Sequence, residues 1–308
     1  MNRIIIMTVV IIGIPFFVVE FWEEEDKSFK EISLEYLSSN LVRVKRSNGE
    51  IENVFLEDYV VGVVAGEMPV SFEVEALKAQ SVASRTYVLK KMMNNKDNDY
   101  DVVDTVSNQV YLSDEELRSK WGSNYDKYIN KVRDVVKSTS MEYLEYDGEI
   151  IDAFYFSTSN GYTEDSGVIF QKSLPYLKSV ESSWDKEVAK AFYSSTSISL
   201  QEFYEKLDLE YNSDLKVEVI ERSDSNRVVS LKINGIEFMA KDIYSKLKLR
   251  SYDFEFVQVG SNVIINTRGY GHGVGLSQYG ALGMAKEGYS YKDILNHYYS
   301  GTKLVKIE

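Results

Sequence analysis

Apolar residues run without a charge from Ile4 to Val19, between Arg3 and the acidic cluster Glu23, Glu24, Glu25 and Asp26. At about 1.5 Å per helical residue the run approaches the thickness of a bilayer core, and Phe21 and Trp22 extend it at the interface. No small-x-small cleavage site precedes Glu20, so the pattern predicts a retained single-pass anchor rather than a removed signal peptide. With Arg3 on the cytoplasmic side, the rest of the chain is expected outside the cell membrane.

Past the anchor the pattern changes from element to element. After a short lead-in at 28–50, an Asn48-Gly49 turn signal precedes a strand near Ile51–Phe55. Leu56 to Ala65 alternates too poorly for a strand and predicts a short helix. Pro69 breaks the chain, and Ser71 is placed to cap a second helix with Glu73 and Glu75 in its first turn, near the positive end of the helix dipole. This helix should reach about Met93. Its Ala76, Ala79, Ala83 and Ser84 admit close neighbours, which predicts a buried central helix.

Met141–Tyr146, Asp147-Gly148 and Glu149–Phe156 carry the clearest hairpin signal, because Asp-Gly readily supplies the backbone angles of a type I′ turn. The second strand delivers Ser157, Thr158 and Ser159 at its end. Another hairpin is predicted at Phe254–Val259 and Asn262–Thr267, around Gly260-Ser261. Between them, 186–250 reads as a polar helical stretch, two strands about a Ser223–Asn226 turn, and a helix from Asp242. Ser290 should cap a last helix through Tyr299, stopped by Gly301. The expected fold is α+β. Mixed helices and antiparallel hairpins form one core in two parts, 28–185 and 251–308, with an α+β insertion at 186–250. An N-terminal transmembrane helix and its acidic flank occupy 1–27.

Composition narrows the function. Apolar residues at 44% and aromatics at 13% can fill a sizeable core, and a net charge of -13 argues against nucleic acid as a partner. A neutral or sugar-like ligand suits it better. The chain has no cysteine and only His272 and His297, so disulfides, thiolate metal sites and zinc hydrolases with several histidine ligands are excluded. No metal and no cofactor are expected.

Two segments hold most of the candidate chemistry: Gly66-Glu67-Met68-Pro69, and the glycine-dense stretch from Arg268 to Gly280. Glu67 has Val63, Val64, Met68 and Val70 close in sequence, and apolar surroundings that penalise its charge would make it a proton donor at neutral pH. It could equally end a helix or pair with a cation. His272, between glycines, can line a groove or fix the turn, while Gln278 and Tyr279 offer amide and aromatic surfaces for an N-acetyl sugar or a helix N-terminal contact. Ser157, Thr158 and Ser159 suit substrate hydrogen bonds or strand capping. They lack the nucleophile-elbow pattern of a serine hydrolase. Arg85 can orient Glu67, bind substrate or make a structural ion pair, and Gln109 and Tyr111 have the same alternatives. His297 is expected to be structural.

Glu57–Pro69, Glu75–Tyr87, Asp104–Tyr111, Phe156–Glu164 and Gly269–Ala281 together resemble the stage II sporulation protein D family, which also contains amidase enhancers. The five blocks cover most of 50–305 in the family's order. The resemblance implies a lytic transglycosylase that cuts the MurNAc–GlcNAc bonds of peptidoglycan during engulfment in sporulation. It implies one membrane helix, a catalytic domain in the space between mother cell and forespore, and Glu67 as the catalytic glutamate. It further implies denuded glycan strands as substrate, a cell-wall amidase that prepares them, and membrane partners in the engulfment machinery. The alternative within the same family is a non-catalytic amidase enhancer that binds peptidoglycan. This chain departs from many relatives in having Phe156 where histidine is expected, and it lacks the cysteine-containing zinc loop of some; both departures put a metal role in doubt.

Ordinary glycosidases need two carboxylates at defined separation. A lytic transglycosylase can use one, because the substrate's N-acetyl group stabilises the developing cation and its own C6 hydroxyl then attacks. The glutamate first gives a proton and later takes one, and a 1,6-anhydro ring closes without water.

Overall fold

The computed structural model describes residues 41–307, so the expected membrane anchor lies outside the described residues. Among the described residues no helix is long and apolar enough to cross a membrane. The architecture is mixed α+β, with helices packed among small, mainly antiparallel sheets.

The lead-in contains a strand that the polar–apolar pattern did not signal. Leu41–Lys45 pairs antiparallel with the expected strand Ile51–Phe55, and the chain passes directly from Phe55 into the helix Leu56–Glu67. That helix buries Tyr59, Val60, Val63 and Val64 against the central helix Val74–Asn94. The small side chains of the central helix do what their spacing suggests. Leu56–Glu67, Tyr125–Ser138, Gln278–Lys286 and Tyr291–Tyr298 all pack around it. Its start differs from the expectation, because the Phe72 N–H donates to the Pro69 carbonyl and closes a turn that includes Ser71. The N-cap is Glu73, which is extended and makes no side-chain capping bond.

The first hairpin is also shorter than its pattern. Asp147 (φ 51°) and Gly148 (φ 81°) form the turn as expected, but within the hairpin only Glu145 and Tyr146 pair with Ile150 and Glu149, and the other edge of Glu142–Tyr146 pairs antiparallel with Lys303–Lys306. The chain then leaves the ladder, and Tyr155–Phe156 pairs in parallel with Leu276–Ser277. The Phe154 carbonyl accepts from the Leu276 N–H at 3.1 Å and from the Tyr299 hydroxyl at 2.8 Å. A Cβ at Gly275 would collide with that carbonyl, so glycine there permits the docking. This non-local pairing brings the Ser157–Ser159 block beside the glycine-dense segment.

The second hairpin forms as read, with strands Asp253–Val259 and Asn262–Arg268 about Gly260. Its free edge is filled by Tyr193–Ser199, a serine-rich segment that reads as polar helix in sequence but pairs antiparallel along its whole length. Val217–Arg222 and Val228–Ile233 are the two strands expected about the Ser223–Asn226 turn. A third, Ile236–Met239, follows an Asn234-Gly235 turn with both residues at positive φ. Phe203, Leu231, Ile243, Phe256 and Val263 belong to a second buried cluster beside the main core. The last helix is Tyr291–Tyr298, with Ser290 and Asp293 in a capping box, and Gly301 (φ 74°) follows it.

Candidate active site

Glu67 is the last residue of its helix, and Met68 after it is extended. The carboxyl is half-buried, and its Oε1 accepts from the Val110 N–H at 2.7 Å and from the Tyr155 hydroxyl at 3.3 Å. The Gln278 side chain also hydrogen-bonds the carboxyl. Burial raises its pKa; these three donors pull it back, but the net displacement is upward. Glu67 has no ion pair among the described residues, so the cation-partner reading of the sequence does not apply.

The Val110 N–H reaches Glu67 because Gly66 has no side chain. A Cβ at Gly66 would strike the Val110 carbonyl, and one at Gly62 would strike the Leu112 carbonyl and the Tyr111 ring. Gly66→Ala should therefore destabilise the fold by about 1–3 kcal/mol, the usual cost of overpacking, and push the Val110 loop off the carboxyl. Thermal unfolding and glycan-cleavage assays together check this. Wild-type values in both would show that the loop yields freely.

Glu67 opens into a groove of about 670 Å³ whose lining includes Tyr87, Asn108, Tyr155, Phe156, Ser157, Phe170, Tyr244, Tyr270, His272 and Gln278. Glu67 is the sole carboxylate in that lining. Aromatic faces with a few polar groups offer stacking surface and hydrogen bonds to a sugar ring. Tyr244 comes from the helix Ala240–Leu247 beside the second core, so both clusters contribute to the wall.

His272 stands against Phe154, Phe156 and Phe170, at ring separations of 6.3, 5.8 and 5.5 Å. Its Nδ1 accepts from the Val274 N–H at 3.0 Å, and the ring also bonds the Tyr155 backbone. Part of the ring reaches the groove, but the phenyl rings exclude water from the rest, and burial pushes its pKa down to about 4. It is a neutral imidazole at neutral pH. It both fixes the turn and lines the groove.

Of the sequence candidates, Glu67, Ser157, His272 and Gln278 meet in this lining, and the others do not. Arg85 is fully buried away from it, with Nε and Nη2 on the two Glu57 oxygens at 2.7 and 2.8 Å and Nη1 on the Glu142 carbonyl. Gln109 is buried behind Tyr155, bonded to Tyr59, Ser84 and Tyr155. Tyr111 stacks on Tyr59 at 5.2 Å and faces a separate hollow of about 340 Å³. Thr158 is buried in a backbone bridge to Tyr270. Tyr279 packs edge-on against Phe72, and its N–H donates to the Ser157 carbonyl. Ser159 is buried, its N–H donating to Asp185 and its hydroxyl to the Ser182 carbonyl. His297 bonds the Glu181 carbonyl at 2.7 Å, a structural contact as expected.

Several supporting groups escaped the sequence reading. Asp185, fully buried, also accepts from the hydroxyls of Ser182 at 2.7 Å and Ser277 at 2.5 Å; Ser277 caps the helix that begins at Gln278. Arg227 is buried behind the glycine-dense turn, donating to the Ser225 hydroxyl at 2.6 Å and the Tyr162 carbonyl at 3.0 Å. Gly273 is glycine because a Cβ there would overlap that guanidinium. Tyr155 looks like an ordinary strand aromatic, and Val110 acts only through its backbone, so neither carries a sequence signal.

The sequence profile of a family described as "Stage II sporulation protein" matches residues 45–146. Two proteins named "Stage II sporulation protein D", from Bacillus amyloliquefaciens and Bacillus subtilis, are each 42% identical over 265 residues, 84% of this chain and 77% of theirs. A Bacillus subtilis protein named "Amidase enhancer" is 30% identical, over 79% of this chain and 40% of its own length. At 42% identity over 84% of its length, and over 77% of the length of those relatives, the chain belongs to the stage II sporulation protein D family.

Proposed function

We propose that the protein is a lytic transglycosylase of peptidoglycan, held at the cell membrane by residues 1–27 and acting outside it on denuded glycan strands during engulfment. The observation that carries this reading is a single carboxyl with a raised pKa in the lining of an aromatic groove that has no second carboxylate among the described residues. In this mechanism Glu67 protonates the oxygen leaving the MurNAc C1, and that C–O bond breaks. The substrate's N-acetyl group supports the cation, and the C6 hydroxyl attacks C1 while Glu67 takes back its proton. The carboxyl ends as it began, and no water is consumed.

The relative named as an amidase enhancer supports a second reading, in which the chain activates a separate hydrolase. The two separate when residues 28–308 are incubated with denuded strands alone, and then with intact peptidoglycan and a purified cell-wall amidase. Fragments released by the chain alone support the enzyme. No fragments, with a faster amidase, would replace it by the enhancer.

A further inference from the structure

The hydrogen bonds behind Glu67 form a chain with one direction. The Tyr59 hydroxyl donates to Gln109 Oε1 at 3.1 Å, Gln109 Nε2 donates to the Tyr155 oxygen at 3.1 Å, and the Tyr155 hydroxyl donates to Glu67 Oε1 at 3.3 Å. The Gln109 amide is not free to flip, because its Nε2 also donates to the Ser84 carbonyl at 3.4 Å, and an oxygen in that place would face another acceptor. Since the Tyr155 oxygen already accepts from Gln109, its proton points at Glu67. The Val110 N–H, one residue along the same loop, lands on the same oxygen.

We infer that Tyr155 is a positioning residue, and that the Tyr59–Gln109–Tyr155 relay keeps Glu67 Oε1 an acceptor so that the exchangeable proton resides on Oε2. A carboxylic acid has one proton to give, and an oxygen that receives two donors from behind is a poor place to carry it. The third contact to the carboxyl comes from the Gln278 amide, which can accept as well as donate and so does not bar the proton from Oε2. The relay thereby selects the oxygen that performs both proton transfers. This inference rests on the acid–base role of Glu67 proposed above and adds to it the group that orients the proton. Besides Tyr155, the titratable groups around Glu67 are the Tyr59 and Tyr87 phenols and the groove-lining imidazole of His272. All are neutral across the working range. The phenols lie above their ordinary value and His272 is near 4, so a pH effect in this region reports Glu67.

The test is Tyr155→Phe, which removes one oxygen and leaves the Gln109–Ser84 bond in place. Its kcat on denuded strands should fall roughly tenfold, the scale of one lost hydrogen bond to such a group, with KM unchanged. Because the lost bond favoured the carboxylate, the basic limb of the pH–rate profile should move to higher pH by roughly half to one unit. Gln109→Met should shift the limb the same way, and the double variant should add little to either single change. An unshifted limb, or a rise in KM alone, would overturn the inference and make Tyr155 a packing or substrate contact. Carbon-13 titration of the Glu67 carboxyl in wild type and Tyr155→Phe reads the same displacement without turnover. A shift there in a protein that cleaves nothing would retain the relay and reject the transglycosylase.

Discussion

Glu67→Gln leaves a folded protein that still binds glycan and cleaves it at least about 10²–10⁴-fold more slowly, the range of a single general acid or base contribution. Glutamine keeps the volume, and its carbonyl can accept the Val110 and Tyr155 donors that reach Oε1. What it cannot do is give and retake a proton, so the loss falls on kcat with little change in KM. The same substitution should change stability in the opposite sense. Burial raises the Glu67 pKa, so the folded chain keeps a proton that the unfolded chain has already released, and this carboxyl removes stability as pH rises through that interval. Glu67→Gln therefore raises Tm at neutral pH and has no advantage below the ordinary carboxylate range. Near-wild-type cleavage by a well-folded variant would reject Glu67 as the acid and base.

Glu57→Ala should cost about 3–5 kcal/mol of folding stability, the penalty for leaving a buried charge without its partner. Arg85 has no exposed side-chain surface, whereas Glu57 keeps 30% of its own, so the two sides of this pair are unequal. Arg85→Met removes the buried charge at similar volume and leaves a carboxylate that water can reach. It should cost less than Glu57→Ala. Both should leave KM for glycan unchanged in whatever fraction folds. Chemical denaturation gives the order of the two variants. A raised KM in a fully folded Arg85→Met would return Arg85 to the substrate-binding role that its position in a sequence block suggested.

The outcome for Arg85 shows what the sequence could and could not convey. The helices at Leu56–Glu67 and Val74–Asn94, the Asp147-Gly148 turn and the hairpin about Gly260 are local patterns, and each appears where hydrophobic spacing or turn chemistry indicates. The parallel pairing of Tyr155–Phe156 with Leu276–Ser277 joins segments about 120 residues apart. No local pattern encodes it, so residue patterning alone predicts a hairpin strand that continues past Ile150. The serines of Tyr193–Ser199 have no apolar alternation, and the strand exists because a neighbouring hairpin offers an open edge.

At the candidate site the same division holds. Glu67, His272 and Gln278 could be picked out because a carboxylate before Pro69 and a histidine among glycines are conspicuous. Gln109, Tyr111 and Ser159 lie in equally distinctive blocks, yet their side chains are buried supports. Motif membership marks both the groups that face the groove and those that hold them. Only burial separates the two, and burial here depends on contacts between distant segments.

The central claim is that one carboxyl breaks a glycosidic bond without water. Mass spectrometry of the fragments released from denuded strands by purified wild-type protein tests it most directly. Fragments ending in 1,6-anhydro sugars, lighter by one water than the corresponding hydrolysis products, are the expected result. Hydrated reducing ends, or no fragments from a well-folded protein, would contradict it.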